Sequence, residues 1–403
     1  MRIAFIAPFG LQPKGTVSAR MLPLAHALAD RGHRVRVVIP PWDDPAARPG
    51  SARFGASKSK VEVITLPLPE HAPKAVSLTA GLVKHALRQG TDIVHVFKPV
   101  GYSGLAAIVL SALGVPWVLD VDDWEGPGGW VDVNLYSPAE KLAISIMDAV
   151  LPRMAGTVTV ASRTLQARTW GFGLSRHRVF YLPNGVSAYR YGAWSAMSAT
   201  RTTGARSQPL SAGRPSILLY TRFAEFPYQW PLEVLRLVLA HHPTARLLVV
   251  GEGFFDEEHR LYSEATRTGI HRHIDITGRV SEQDLPAYLS SADVCIYPME
   301  DNLINRAKSP VKLLEVMLLG VPVVAHRVGE VGEFVGDAGV LVRPADLPGM
   351  AIAVSDLLRD PARRQALGER ARRRVWSRFN WQDLCAVAEA AYQQRAKWRG
   401  AGA

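Results

Sequence analysis

The sequence predicts an α/β fold of two doubly wound halves, and three observations predict it. Short β-branched, apolar runs alternate with helical stretches, which is the pattern of a parallel sheet built from βαβ units. The alternation breaks down once, over Ser187–Pro215, where Ser, Ala, Thr, Gly and Arg dominate without apolar periodicity, and then restarts. With 403 residues, two or three domains are expected, and 48% hydrophobic against 21% charged residues supplies a core for each.

Taken in order, the opening MRIAFIAPFG has one Arg and then a short apolar run ended by Pro and Gly, so Ile3–Ala7 reads as a buried strand rather than a signal peptide. The loop PFGLQPKGTVSAR follows, then a helix over Leu22–Arg31 that Gly32 ends. His33–Ile39, Val61–Leu66, Ile93–Phe97, Trp117–Val121, Gly156–Ala161 and Val179–Tyr181 are the remaining strands of the first half. Past the break come Ile217–Tyr220, Arg246–Val250, Ile274–Thr277, Val294–Tyr297, Val321–Ala325 and Gly339–Val342, with helices between them and a helical tail from Pro348. The expected division is a domain over 1–187, a linker over 188–215, a domain over 216–380 and a final helix over 381–403 packing back on the first domain. A cleft between two such domains is a natural place for a pair of substrates.

Composition narrows the function classes. Only 2 cysteines are present, Cys295 and Cys385, which excludes a disulfide framework and fits a reducing, cytoplasmic compartment. No stretch reaches the roughly 18 apolar residues of a transmembrane helix. A net charge of +11 calls for an anionic partner, whether nucleotide phosphate, membrane surface or nucleic acid. No nucleic-acid module is recognisable, and much of the excess lies in the run Arg363–Arg374.

Three clusters carry chemistry. The loop with Gly10, Lys14, Gly15, Thr16, Ser18 and Arg20 follows the first strand, where glycines let backbone approach a ligand. Its spacing is neither the Walker pattern nor G-x-G-x-x-G, which counts against a nicotinamide dehydrogenase; a ligand-free βα loop is the plainer alternative. The run Asp120, Asp122, Asp123, Trp124, Glu125 follows the strand Trp117–Val121. Crowded carboxylates repel, so at least one pKa should rise, and such a run suits catalysis, metal binding or recognition of sugar hydroxyls, or else helix capping in a solvated turn. The third cluster is AKSPVKLLEVMLLGVPVVA over Ala307–Ala325. Lys308, Ser309 and Lys312 stand in a turn that opens an apolar helix, with Glu315 one turn deeper. Cations and free N–H groups at a helix N-terminus form an anion site, and the acid can accept bonds from sugar hydroxyls.

These residues, in this order, resemble the retaining glycosyltransferases of glycosyltransferase family four. Further matches are Pro183-Asn184-Gly185-Val186, Val249-Val250-Gly251-Glu252-Gly253, Thr277-Gly278-Arg279-Val280, Leu285–Pro298 and Trp376–Trp381, so the resemblance spans nearly the whole chain. It implies two Rossmann-like doubly wound domains facing across a cleft (GT-B type). It implies metal-independent transfer of a sugar from a nucleotide-diphosphate sugar to an acceptor hydroxyl with retention, and no cofactor. By the resemblance, Glu315 binds the donor ribose and Arg222 the diphosphate. Lys312 and the backbone of Ser309, Pro310, Val311 and Lys312, with N–H donors at all but Pro310, complete that clamp. Gly278, Arg279 and Val280 frame the base, while Gly15 and Thr16 sit against the donor phosphates and sugar. Lys14, Arg20, Asp123, Trp124 and Glu125 fall on the acceptor side.

The sequence departs from the family at three positions. The first of the usual paired glutamates is replaced by Ala307, leaving Asp301, Asn302 or Asn305 to take over its contacts. The usual lysine beyond Arg222 is missing; Tyr228 lies near that point and Lys312 is its substitute. The histidine often found after the fourth strand is replaced by Asp122, which is then the catalytic candidate beside Arg222 and Lys312. Ala307 keeps a catalytically silent donor-binding or scaffold protein open as an alternative, and a nucleotide-sugar epimerase is a second. Family relatives work on glycan or lipid-linked acceptors. With the basic segments Arg31–Arg36 and Lys58–Lys60 and the apolar Leu142–Met154, this gives the expectation of a peripheral enzyme on an anionic inner leaflet.

Overall fold

The computed structural model describes residues 1–11, 15–41, 50–54, 61–69, 73–187, 191, 192, 194 and 213–400, with backbone alone at 50–54 and 397–400. Lys14, Lys58–Lys60 and most of the expected linker therefore lie outside the described residues. The chain forms two compact units. One comprises Met1–Tyr189, Ala307–Ser309 and Asn380–Ala403; the other comprises Arg190–Arg306 and Pro310–Phe379.

The first unit holds eight strands: β1 (Arg2–Ile6), β2 (Arg34–Ile39), β3 (Gly50–Phe54), β4 (Val61–Thr65), β5 (Ile93–Phe97), β6 (Trp117–Val121), β7 (Val158–Val160) and β8 (Val179–Tyr181). They lie in the order β3-β4-β2-β1-β5-β6-β7-β8, parallel except for β3, which runs antiparallel to β4. All of β5 is buried, as expected of a central strand covered on both faces. Helices Lys74–Ala86, Gly101–Ala112, Pro138–Ala155 and Arg163–Gly171 pack on one face through Leu78, Leu82, Leu110, Leu151 and Leu165.

The other face is covered by helix Leu22–Asp30 and the C-terminal helix Trp381–Gly400. Trp381, Leu384, Cys385, Ala388, Ala391 and Tyr392 recur at helical spacing and are buried there. Trp381 N donates to Val186 O at 2.9 Å. The Tyr392 hydroxyl lies 2.9 Å from His95 Nδ1 on β5, tying the chain's end to the middle of the sheet.

The second unit has six parallel strands: β9 (Ser216–Tyr220), β10 (Arg246–Val250), β11 (Ile274–Ile276), β12 (Val294–Tyr297), β13 (Val323–His326) and β14 (Val340–Val342). Their order is β11-β10-β9-β12-β13-β14, that of the doubly wound nucleotide-binding sheet. In each unit the winding reverses once, between β1 and β5 and between β9 and β12, and such sheets bind ligands outside the strand ends at that reversal.

Two local expectations change. The segment expected as a loop through Arg20 turns helical earlier. Thr16–Met21 forms wide π-type turns that continue directly into Leu22–Asp30, so Thr16, Ser18 and Arg20 stand on a helix. Strand β3 was not anticipated: its Gly, Ser and Arg give little apolar signal, and it pairs on one edge only. The short stretch Ala307–Ser309 belongs to the first unit, since Ala307 is buried in that unit's core.

Candidate functional site

In the second unit, the loops after β9, β10 and β11 converge. Gly251 N donates to Gly278 O at 2.9 Å, and Thr221 N to Val250 O at 3.0 Å. Gly251 has φ +119°, and a Cβ there would fall 2.0 Å from Thr221 O, so only glycine permits this approach. Phe223 sits at φ +58°, rare for a bulky residue, directly after the exposed Arg222. The Arg222 guanidinium carbon lies 6.0 Å from the Phe254 ring centroid. Gly278 also takes a positive φ, +63°, and Arg279 beside it is exposed.

The helix Val311–Leu318 begins after Pro310 with no side-chain cap on its first amides. Its Leu313, Leu314, Val316 and Met317 are buried, which fixes the helix against the sheet. Lys312 Nζ lies 4.7 Å from the ring centroid of Tyr220, the last residue of β9, placing the ammonium at the switch point. Glu315, one turn deeper, is buried and accepts the Tyr191 hydroxyl at 2.6 Å on Oε1. The structure thus gathers Arg222, Lys312 and Glu315 at one end of one sheet, with Gly278–Val280 on a neighbouring loop.

Three polar neighbours of Ala307 are committed elsewhere. Asp301 takes a two-pronged bond from Arg306, with Oδ2 at 2.8 Å from its terminal nitrogen. Asn302 Oδ1 accepts from Asn305 N at 2.9 Å. Asn305, expected among the donor ligands, is buried and spends its amide nitrogen on Glu225 O and Glu300 O, at 2.8 and 2.9 Å, while its Oδ1 has no hydrogen-bond partner among the described residues. Ser309, likewise expected to hold the donor, accepts both backbone and side-chain bonds of Asn184 at 2.8 Å. Tyr228 packs against the hydrophobic core of the second unit.

In the first unit, the acid run is organised by a residue that the sequence reading passed over. Lys98, at the end of β5, is buried with φ +62°. Its Nζ lies 2.9 Å from Asp122 Oδ1, 2.5 Å from Asp123 Oδ2 and 2.8 Å from Glu125 Oε1. The contact to Asp122 is an ion pair without hydrogen-bond alignment. Burial alone would lower the ammonium's pKa, but the three carboxylates outweigh it and raise it well above its ordinary value. Burial pushes Asp122 up to about 7, with Lys98 opposing and Asp123 reinforcing the rise. Glu125 is raised by burial too. Crowding therefore does lift carboxyl pKa values here, though burial leads repulsion as the cause.

Asp120 and Arg20 form a separate pair. The guanidinium grips both Asp120 oxygens at 2.7 Å and donates to Leu182 O at 2.9 Å and Asn184 Oδ1 at 3.0 Å. Burial would raise the Asp120 carboxyl, but Arg20 outweighs it and holds the group below its usual value. Arg20 is 1% exposed. The expectation of an acceptor-side contact is corrected: it is a buried brace between the ends of β6 and β8. Glu125 is buried on Lys98, while Asp123, its side chain 26% exposed, and Trp124, which donates to Pro127 O at 2.8 Å, are half-buried. Gly126 is needed for packing, since a Cβ there would meet Asp148 Oδ2 at 2.2 Å. Gly15 is different: a Cβ there would meet nothing within 4 Å, and Thr16 Oγ1 beside it lies 3.5 Å from Asp122 Oδ2.

Two family models match this chain. A glycosyl transferase 4-like domain covers residues 15–185, and the glycosyl transferases group 1 model covers 214–360. The chain belongs to the group 1 glycosyltransferases. It is 27% identical over 399 residues to a glycogen synthase of Mycobacterium tuberculosis, across 92% of this chain and 88% of that one. It is 26% identical over 411 residues to a phosphatidyl-myo-inositol mannosyltransferase of Mycolicibacterium smegmatis, across 98% and 94%. Among solved structures it resembles sucrose-phosphate synthase from Thermosynechococcus elongatus, with TM-score 0.70 and 20% identity over 98% of this chain and 99% of that one. That likeness shows the GT-B fold of two Rossmann-like domains.

Proposed function

We propose that this group 1 glycosyltransferase moves a hexosyl group from a nucleotide-diphosphate sugar to an acceptor hydroxyl, with retention and without a metal. The observation that carries the reading is the end of the second unit's sheet, where Arg222 follows β9, Lys312 lies against Tyr220 at the uncapped helix N-terminus, and the buried Glu315 stands one turn deeper. Cations and amide dipoles stabilise the diphosphate as it gains charge in the transition state. Glu315 keeps a second oxygen for ribose hydroxyls beside the one held by Tyr191. The bond from the sugar's anomeric carbon to the diphosphate breaks, the bond to the acceptor oxygen forms on the same face, and the acceptor proton passes to the departing phosphate. Asp122 orients the acceptor hydroxyl in this scheme.

Among the described residues, Asp122, Asp123 and Glu125 are close enough to share a cation, and Lys98 already supplies one. This supports the metal-free reading. The test is turnover of a panel of UDP-, GDP- and ADP-sugars in EDTA, with the product's anomeric configuration read by NMR. Retained configuration in EDTA supports the proposal; inversion, or activity restored only by manganese or magnesium, overturns it. The buried alanine at position 307 favours a second reading, a silent donor-binding protein. Tight nucleotide binding with no turnover of any donor would select it.

We further place the acceptor on a lipid, presented at the cytoplasmic face of an anionic membrane. No helix among the described residues is long and apolar enough to cross a membrane. However, Leu142, Ile146 and Val150 recur one helical turn apart on Pro138–Ala155 and are exposed. Ile108, Val109 and Leu113 are exposed on and just beyond the neighbouring helix, and the exposed Arg153 flanks the stripe. Apolar residues with basic neighbours suit an anionic leaflet. Leu142→Glu with Ile146→Glu should cut co-sedimentation with anionic vesicles at least fivefold; unchanged co-sedimentation would exclude this face.

A further inference from the structure

A cavity in the first unit lies away from the switch point, at the opposite end of the strands, where β1 and β2 begin. Its volume is about 480 Å³, and it is lined by Arg2, Arg34, Arg36, Arg88 and Gln89, with Glu62 the one carboxylate among the described lining residues. That volume suits a small phosphorylated ligand.

The lining is held in place. Gln89 adopts φ +59°, a left-handed conformation that side chains seldom take. From there its backbone oxygen accepts from Arg2 at 3.1 Å and its side-chain oxygen accepts from Arg36 at 3.0 Å. Arg36 is buried and further fixed by Glu62 at 2.7 Å and by the carbonyls of His85 and Arg88. Arg2 is paired with Asp92 at 2.8 Å. Two guanidinium groups are thus oriented by one strained residue.

Two more are not neutralised. Arg34 and Arg88 are exposed, and neither side chain has a carboxylate partner among the described residues. Arg34 is also the register partner of Arg2 on the adjacent parallel strand, and neighbouring strands lie only about 4.8 Å apart. Asp92 already balances Arg2, so the uncompensated charge at this end of the strands is that of Arg34 and Arg88, which a bound anion would balance. Planar guanidinium forks match phosphate oxygens better than ammonium groups do.

We infer that this cavity is a second anion site, built for a phosphate-bearing polyanion and separate from the donor clamp. The shared chemistry is a phosphate mono- or diester, which could reach the cavity as a soluble phosphorylated compound or as a phospholipid headgroup.

The test uses the full chain carrying Lys312→Ala, so that diphosphate binding at the donor clamp is weakened. Melting temperature is measured with sodium pyrophosphate against sodium chloride of equal ionic strength, with and without Arg34→Gln plus Arg88→Gln. Both arginines are exposed, and equal melting temperatures in chloride confirm an intact fold. Pyrophosphate should raise the melting temperature beyond chloride, and the double substitution should remove at least half of that rise. The same rise with and without the double substitution, or no rise beyond chloride, overturns the inference and leaves the donor clamp untouched. Co-sedimentation with vesicles containing phosphatidylglycerol separates the sources. A fivefold loss on Arg34→Gln plus Arg88→Gln identifies a lipid headgroup, and unchanged sedimentation alongside the pyrophosphate effect identifies a soluble ligand.

Discussion

Lys98 and Asp122 pose the charge problem of the first unit at its sharpest. A buried ammonium holds three carboxylates, and removing one partner of a buried charge set leaves the others uncompensated. Lys98→Met should therefore destabilise the fold by about 3–5 kcal/mol in urea melts, and a loss below about 1 kcal/mol would show that the cluster is well solvated. Asp122 gives a pH signature. Its folded value near 7 lies above the ordinary aspartate value. The stability it contributes is present below the unfolded value near 4 and is lost as pH rises through the folded one. The melting-temperature gain of Asp122→Asn over the parent should therefore grow between about pH 4 and about pH 8; a constant difference would contradict the raised pKa. The acid run was legible in the sequence because its members are adjacent. Lys98 was not, because only the sheet order, with Phe97 of β5 in register with Asp120 of β6, brings it there.

At the scale of elements, the C-terminal helix shows what periodicity can reveal. The spacing from Trp381 to Tyr392 makes one apolar stripe, and that stripe covers the first unit's sheet. What spacing could not show is the polar contact at its end. His95 is fully buried between Tyr392 and Thr159, and burial lowers its pKa to about 4. Tyr392→Phe removes one partner of that imidazole while keeping the ring, so it should cost about 1 kcal/mol. Denaturant midpoints measure this, and a neutral result would mean that the Tyr392–His95 bond adds nothing to the docking of the helix. Strand β3 and the early helical turns at Thr16–Met21 escaped the sequence for opposite reasons. The strand has little apolar pattern, and the turns follow directly on Gly15 and open with Thr16, residues that usually mark loops.

For the whole molecule, the repeat of strand and helix on both sides of Ser187–Pro215 was enough to foresee two doubly wound sheets. It could not show that Ala307–Ser309 joins the first unit while Pro310 returns to the second, because that assignment depends on where Ala307 is buried. The same limit applies to the site. Lys312 and Glu315 are legible from their places on a turn and a helix, Arg222 only through the family resemblance, and the fold sets all three at one sheet end. The Tyr191 hydroxyl on Glu315 had no signal in the sequence. The central claim is that this end of the second unit holds a nucleotide diphosphate. Calorimetric titration of UDP, GDP and ADP into the parent protein and into Arg222→Ala, Lys312→Ala and Glu315→Gln tests it most directly. The account predicts that at least one nucleotide binds the parent, and that the Arg222 and Lys312 substitutions each weaken it by about 1.5–3 kcal/mol. It predicts a loss for Glu315→Gln as well, with the fold intact. Nucleotide binding of unchanged affinity in all three variants would contradict it.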